Sequence, residues 1–286
     1  MLTPHDIHHG IILPAFLAVM LLLPALIPKL RRWSHIVLLI ALSVPFLFSY
    51  MHLFDRPPLP PIETIGWLFY LPIVVIPLAL IIDFSNFRLL ALPLFFLSTV
   101  LILWPILRND HSFAESATIV SLLALGSFLS YLSLTQLSPR IGGRSMHVIL
   151  LLIVAASSQV LIMSGSQTLG QTSLILTAAL FGALPLAWYL KIPLNAGPVL
   201  LIMLLWHALL IAGYFTANLT PLNWFLLAMA PHLAWLAESR SRTWPKFARI
   251  SLRFGAVFLP MLLAQFLAYH DFKEAMREMQ KYEENQ

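Results

Sequence analysis

Long apolar runs alternate with short polar connections along the whole of the 286-residue chain. Ten such runs are present, at about 10–28, 34–54, 64–82, 88–107, 116–137, 147–165, 172–190, 197–217, 220–237 and 250–270. Each approaches the roughly 20 residues that carry a helix across about 30 Å of hydrocarbon at 1.5 Å per residue. The runs are long and do not alternate apolar with polar residues, which sets β-strands aside. The pattern predicts an all-α fold, a polytopic transmembrane helix bundle of about ten spans within residues 1–270, with a polar C-terminal tail over 271–286.

Composition agrees with this medium. Hydrophobic residues make up 59% of the chain and charged residues 10%, against about 25% charged in soluble domains. A chain this apolar has no polar shell to cover a soluble core, so its surplus surface must face lipid. The net charge of +5 would suggest nucleic acid in a soluble protein. Here no solvated face is broad enough for a basic groove, and anionic lipid headgroups are the expected counter-ions. The absence of cysteine excludes disulfides, thiolate metal sites and cysteine nucleophiles.

The basic residues sort the connections into two sets. Lys29, Arg31, Arg32, Arg88, Arg140, Arg144, Lys191, Arg240, Arg242, Lys246, Arg249 and Arg253 fall in alternate loops, which the positive-inside tendency places in the cytoplasm. Arg56 and Arg108 fall in the other set, with a tail in which five acids outnumber Lys273, Arg277 and Lys281. Both termini are therefore expected outside the cytoplasm, in a protein of the cell (inner) membrane. No Lys or Arg precedes the first run and PKLRR follows it, the pattern of a retained helix rather than a cleaved signal.

Five spans plus five would invert a second half, 147–270, relative to a first, 1–138. Proline-rich connections follow the second span (DRPPLPPIET) and the seventh (KIPLNAGP) at corresponding places, without residue-level similarity. Prolines 14, 24, 45, 72, 77, 93, 105, 185, 231 and 260 lie in or at the ends of spans. They fit broken transporter helices as well as the ordinary abundance of proline in membrane helices.

Several polar groups lie inside the apolar runs. His207, in LLWHALL, is about ten residues from the nearer end of its span, and His232, in MAPHLAW, lies at a similar depth in the next. The two helices are expected to be antiparallel neighbours, which brings the imidazoles near one another. Three roles fit: a hydrogen-bonded packing contact, a lining of a solute or proton path, or an axial ligand to haem. The first requires least. Ser157, Ser158 and Gln159 form a polar step in the sixth span. Ser121, Ala124, Ser127, Ser130 and Ser133 recur every three positions in the fifth, a small-residue stripe that admits close neighbours. That stripe predicts a central fifth helix, paired with the sixth through the tight SPRIGGRS connection, with Gln159 bonding across the contact.

At the ends of the spans, ESRSRTWPKFARISLR carries Arg240, Arg242, Lys246, Arg249 and Arg253 beside Trp244 and Phe247, a segment suited to anionic headgroups. His5, His8, His9, His52, His111 and His270 gather at the opposite level with Asp6, Asp55, Glu63, Asp110 and Asp271. Imidazole with carboxylate suits zinc or copper, although no HExxH pattern accompanies it, and histidine is also tolerated at interfaces. The sequence itself requires no cofactor.

Span interiors contain no Asp, Glu, Lys or Arg, since Asp83 and Glu238 sit at ends. Coupled transport usually relies on such groups. No phosphate-cradling glycine loop and no catalytic motif stands out. The expected function is that of a non-catalytic membrane-embedded subunit or scaffold, with other membrane proteins as partners and no nucleic acid. Transport of an uncharged or lipid-like solute is the alternative, and histidine-held haem or metal a minor one.

Overall fold

A computed structural model describes residues 3–85, 87–110 and 112–284, which are helical with no strand among them. Each predicted run forms a helix: α1 (Pro4–Leu26), α2 (Ser34–Phe54), α3 (Thr64–Ser85), α4 (Ala91–Asp110), α5 (Phe113–Ile141), α6 (Gly143–Met163), α7 (Gln167–Leu190), α8 (Ala196–Thr216), α9 (Pro221–Arg240) and α10 (Lys246–Glu284). Among the described residues, nine helices are long and apolar enough to cross a membrane. The protein is a multi-pass integral membrane protein by this measure. The helix outside that group is α9, which carries Asn223, His232 and Glu238 along its length.

Local chemistry explains where helices begin and bend. Ser112 caps α5 and Glu115 closes the box by accepting from the Ser112 backbone at 3.0 Å, which satisfies donors that the first turn leaves open. Thr220 caps α9, with Pro221 at its first position. In α1 the stretch His8–Ile12 widens to a π-helix in which the amide of Leu13 donates to the carbonyl of His8. Pro14 follows immediately, and a proline ring crowds the carbonyl four residues back. A local change of pitch at that point relieves the crowding.

Helix α8 is the axis of the bundle. It is buried without a break from Gly197 to Gly213, and α2 to α7 together with α9 surround it. A helix that is apolar all round has no face to offer water, and LLWHALL lies in the middle of this one. Helix α1 sits outside, on α2 and α7, and α10 sits outside on α6 and α9. Gly182 of α7 makes the first of these contacts close, because a Cβ there would run into the backbone of Ala15. The halves 1–138 and 147–270 share one core, since α8 of the second packs chiefly on α3 of the first.

This arrangement corrects two expectations. The central helix is α8 and not α5, because the stripe of α5 occupies one flank while the rest of the helix is open: Leu122 and Leu129 are largely exposed. The chief neighbours of α5 are α4 and α9, and α6 packs principally on α7. A short connection fixes sequence neighbours near one another but does not set which face carries the larger apolar contact.

Candidate functional site

Several polar groups of the spans are paired across contacts between helices. Trp206 projects from α8 toward α6, where its indole N–H donates to Ser157 Oγ at 2.7 Å. Ser157 in turn donates to the carbonyl of Ile153. Ser158, one position on, lies 3.0 Å from both Ser173 Oγ and Thr177 Oγ1 on α7. Gln159 turns outward and accepts from Gln265 of α10 at 2.6 Å, so its partner is α10 rather than α5.

The two histidines serve different contacts. His207 is buried, and its Nδ1 donates to the carbonyl of Met203 on its own helix at 2.8 Å. Its ring stands edge-on to Trp206 and to Phe95, with centroids 4.6 and 6.2 Å away. Phe95 also meets Phe128 and Tyr131 of α5, so His207 belongs to an aromatic cluster where α4, α5 and α8 meet. His232 of α9 reaches α5 instead: Ser130 Oγ lies 2.9 Å from Nε2 and Ser133 Oγ 3.1 Å from Nδ1. A neutral imidazole donates from one nitrogen and accepts at the other, and the two hydroxyls serve both. Of the α5 stripe, Ala124, Ser127 and Ser130 are buried while Ser121 and Ser133 are half-buried.

The histidine end gathers four of its candidates. His5, His8, His9 and His52 form a chain of ring contacts, with His9 at 4.4 Å from His5, 4.6 Å from His8 and 5.2 Å from His52. Among the described residues no group of three or more His, Asp or Glu is placed to hold a metal ion. His270 stands apart, 3.7 Å from Glu274 one turn later on α10. His111 lies outside the described residues.

The basic end is more constructed than the sequence indicates. Arg31 and Arg144 both donate to the last carbonyls of α7, at Leu190 and Trp188, where a cation also meets the negative end of the helix dipole. Asp83 accepts from the amide of Gly197 at 2.7 Å at the start of α8, and Ser138 donates to the carbonyl of Leu194 at 2.6 Å. These bonds tie the α7–α8 connection to α3 and α5. They border a polar cavity of about 350 Å³ lined by Asp83, Arg88, Thr135, Ser138 and Asn195. At the same end, Glu238 and Arg253 form an ion pair in which each side chain is 3% exposed. Two donors of Arg253 converge on Glu238 Oε2. Arg249 approaches the same carboxylate at 3.9 Å, while Arg240 and Arg242 are exposed.

The sequence reading passed over Tyr131 and His147. Tyr131 is enclosed, and its hydroxyl has no hydrogen-bond partner among the described residues. His147 is buried, with Nδ1 donating to the carbonyl of Gly143. Tyr131 follows Ser130 directly in the α5 stripe, but nothing in its neighbourhood in sequence marks it for enclosure. Comparison with family models, with curated proteins and with solved structures gave no match.

Proposed function

We propose that the chain is a non-catalytic, membrane-embedded subunit or scaffold of a larger membrane complex, oriented with its basic end in the cytoplasm. The observation that carries this reading is the packing of α8. From Gly197 to Gly213 the helix is enclosed, and the intramembrane polar groups Trp206, Ser157, Ser158, His207 and His232 are engaged by neighbouring helices or by their own backbone. Transporters commonly place a solute site near the midplane between repeats. Here the midplane is filled by side chains, and the polar cavity of Asp83 and Asn195 lies at the helix ends.

Helix α10 supports the same reading. Its 39 residues span about 58 Å at 1.5 Å per residue, nearly twice the hydrocarbon thickness of about 30 Å. The described side chains from Tyr269 to Lys281 are exposed, and Phe272, Met276 and Met279 recur at helical spacing on this arm. A solitary helix of this length gains little from its own propensity, and a partner would cover the apolar stripe.

Photo-crosslinking residues placed at Met276 and Met279 in native membranes test the proposal. We expect a discrete adduct with another membrane protein, and none from Glu274 or Lys281 on the opposite face. A chain that gives no adduct from either site and that carries a neutral solute across proteoliposomes would overturn it in favour of transport.

A further inference from the structure

Six basic residues from three separate parts of the chain line one concavity at the basic end. Arg140 and Arg144 come from the α5–α6 connection, Lys191 from the end of α7, and Lys246, Arg249 and Arg253 from the first turns of α10. The cavity measures about 360 Å³. Among the described residues no carboxylate lines it, and Glu238, which pairs with Arg253 and approaches Arg249, offsets one of the six charges. Like charges at this density repel one another, with little screening between groups closer than about 10 Å. A bound anion removes that cost.

The backbone is shaped for the same task. Gly142 has φ +76°, and a Cβ on Gly143 would collide with the carbonyl of Ile192. This glycine pair lets the start of α6 tuck against the connection that carries Lys191. No side chain caps α6, so the first-turn amides of Gly143, Arg144 and Ser145, which line the cavity, lack intrahelical acceptors. Such amides together with the helix dipole favour a negative group. Arg144 is held in place by its bond to the carbonyl of Trp188 and by stacking 5.4 Å from the Trp188 ring, which costs less ordering when a ligand arrives.

We propose that this cavity is a binding site for a phosphate-bearing anion, and that its source is the headgroup of an anionic membrane phospholipid. Trp188, on which Arg144 stacks, and Tyr189, Trp244 and Phe247, each within two residues of a lining residue, are exposed, and aromatic side chains of this kind mark the level of the lipid headgroups. Neither the subunit reading nor its test enters into this site. The segment 238–253 alone does not make it, since Arg240 and Arg242 stay outside the cavity while Arg140, Arg144 and Lys191 complete it.

Purified protein in a non-ionic detergent, titrated with phosphatidylglycerol and followed by native mass spectrometry, tests the assignment. We expect one phosphatidylglycerol to be retained and phosphatidylcholine to bind far more weakly. The triple substitution Arg140→Gln, Lys191→Gln, Lys246→Gln removes three exposed cations and is expected to weaken binding by about a hundredfold, from about 1 kcal/mol per basic group. Lys246→Gln alone should weaken it by about fivefold, a variant that serves if the triple does not fold. A control triple at Arg32, Arg240 and Arg242, also to Gln, keeps the wild-type affinity. Displacement of the lipid by millimolar inorganic phosphate would keep the phosphate chemistry but reassign its source to a soluble anion. Equal losses in both triples, or no saturable binding of lipid or phosphate, would overturn the site.

Discussion

The indole N–H of Trp206 donates to the hydroxyl of Ser157 at 2.7 Å, across the contact of α8 with α6, where both residues are fully buried. An indole nitrogen is a donor only, and this hydroxyl is its sole hydrogen-bond acceptor among the described residues. The neighbouring Ser158 differs in kind. Thr177 also donates to the carbonyl of Ser173, and Ser173 to that of Val154, so those hydroxyls keep acceptors on backbone when Ser158 is removed.

Ser157→Ala should therefore cost about 1–3 kcal/mol, the penalty for stranding a buried donor. Ser158→Ala should cost nearer 0.6 kcal/mol, roughly the mean for a hydrogen bond between membrane helices. Thermal unfolding of both variants in the same detergent measures the difference. If Ser158→Ala is the more damaging, the distinction between replaceable and irreplaceable partners fails.

His232 gives a second asymmetry. The hydroxyls of Ser130 and Ser133 also lie within hydrogen-bond reach of the carbonyls of Gly126 and Leu129 on their own helix, so each has an acceptor to turn to when the imidazole is lost. His232→Leu, of similar volume, should cost less than about 1 kcal/mol. The double change Ser130→Ala, Ser133→Ala leaves the ring N–H without its partner and should cost about 1–3 kcal/mol. Adding His232→Leu to that double variant should recover part of the loss. Strict additivity across the cycle would show that the three groups do not act together.

The Glu238–Arg253 pair should behave as a unit because both side chains are out of water. Glu238→Gln alone should destabilise by about 3–5 kcal/mol, since Arg253 is left buried and uncompensated, whereas Arg253→Met should cost less because Arg249 still stands 3.9 Å from the carboxylate. The two changes together should return most of that stability. Additive losses would argue that the pair contributes through packing against α9 and α10 rather than through its charge.

Much of the fold is visible in the residue pattern, because length and continuity of apolar runs are local properties. Ten runs became ten helices with ends close to those expected, and the described part of the polar tail, to residue 284, continues α10. What the pattern does not hold is which runs face one another. Gln159 and Gln265 pair across α6 and α10, and Glu238 and Arg253 across the α9–α10 connection. Neither pair shares a helical spacing that would announce it. The central position of α8 was within reach, since Gly197 to Gly213 offers no polar stripe and therefore no outward face. The serine stripe of α5 signals close contact through its small residues, and close contact occurs on flanks as well as at the centre. Arg140, Arg144 and Lys191 joined a cavity with α10 only once the chain was folded.

Helix α9 decides how many times the chain crosses the membrane. Its polar residues lower its apolarity below that of the other nine helices, yet two of the three, His232 and Glu238, are engaged by neighbouring helices. Asn223 is buried at the start of the helix, His232 is held by two serines of α5, and Glu238 by Arg253 of α10. A polar group engaged by a neighbouring helix avoids most of the cost of leaving water, so α9 should cross as the others do. The chain has no cysteine, which makes single introduced thiols clean reporters. With a membrane-impermeant maleimide on intact cells, Lys273→Cys should label at once, whereas Arg32→Cys and Arg242→Cys should label only after permeabilisation. If α9 does not cross, Arg32 and Arg242 fall on opposite sides of the membrane, and the alternation of basic and acidic ends fails with it.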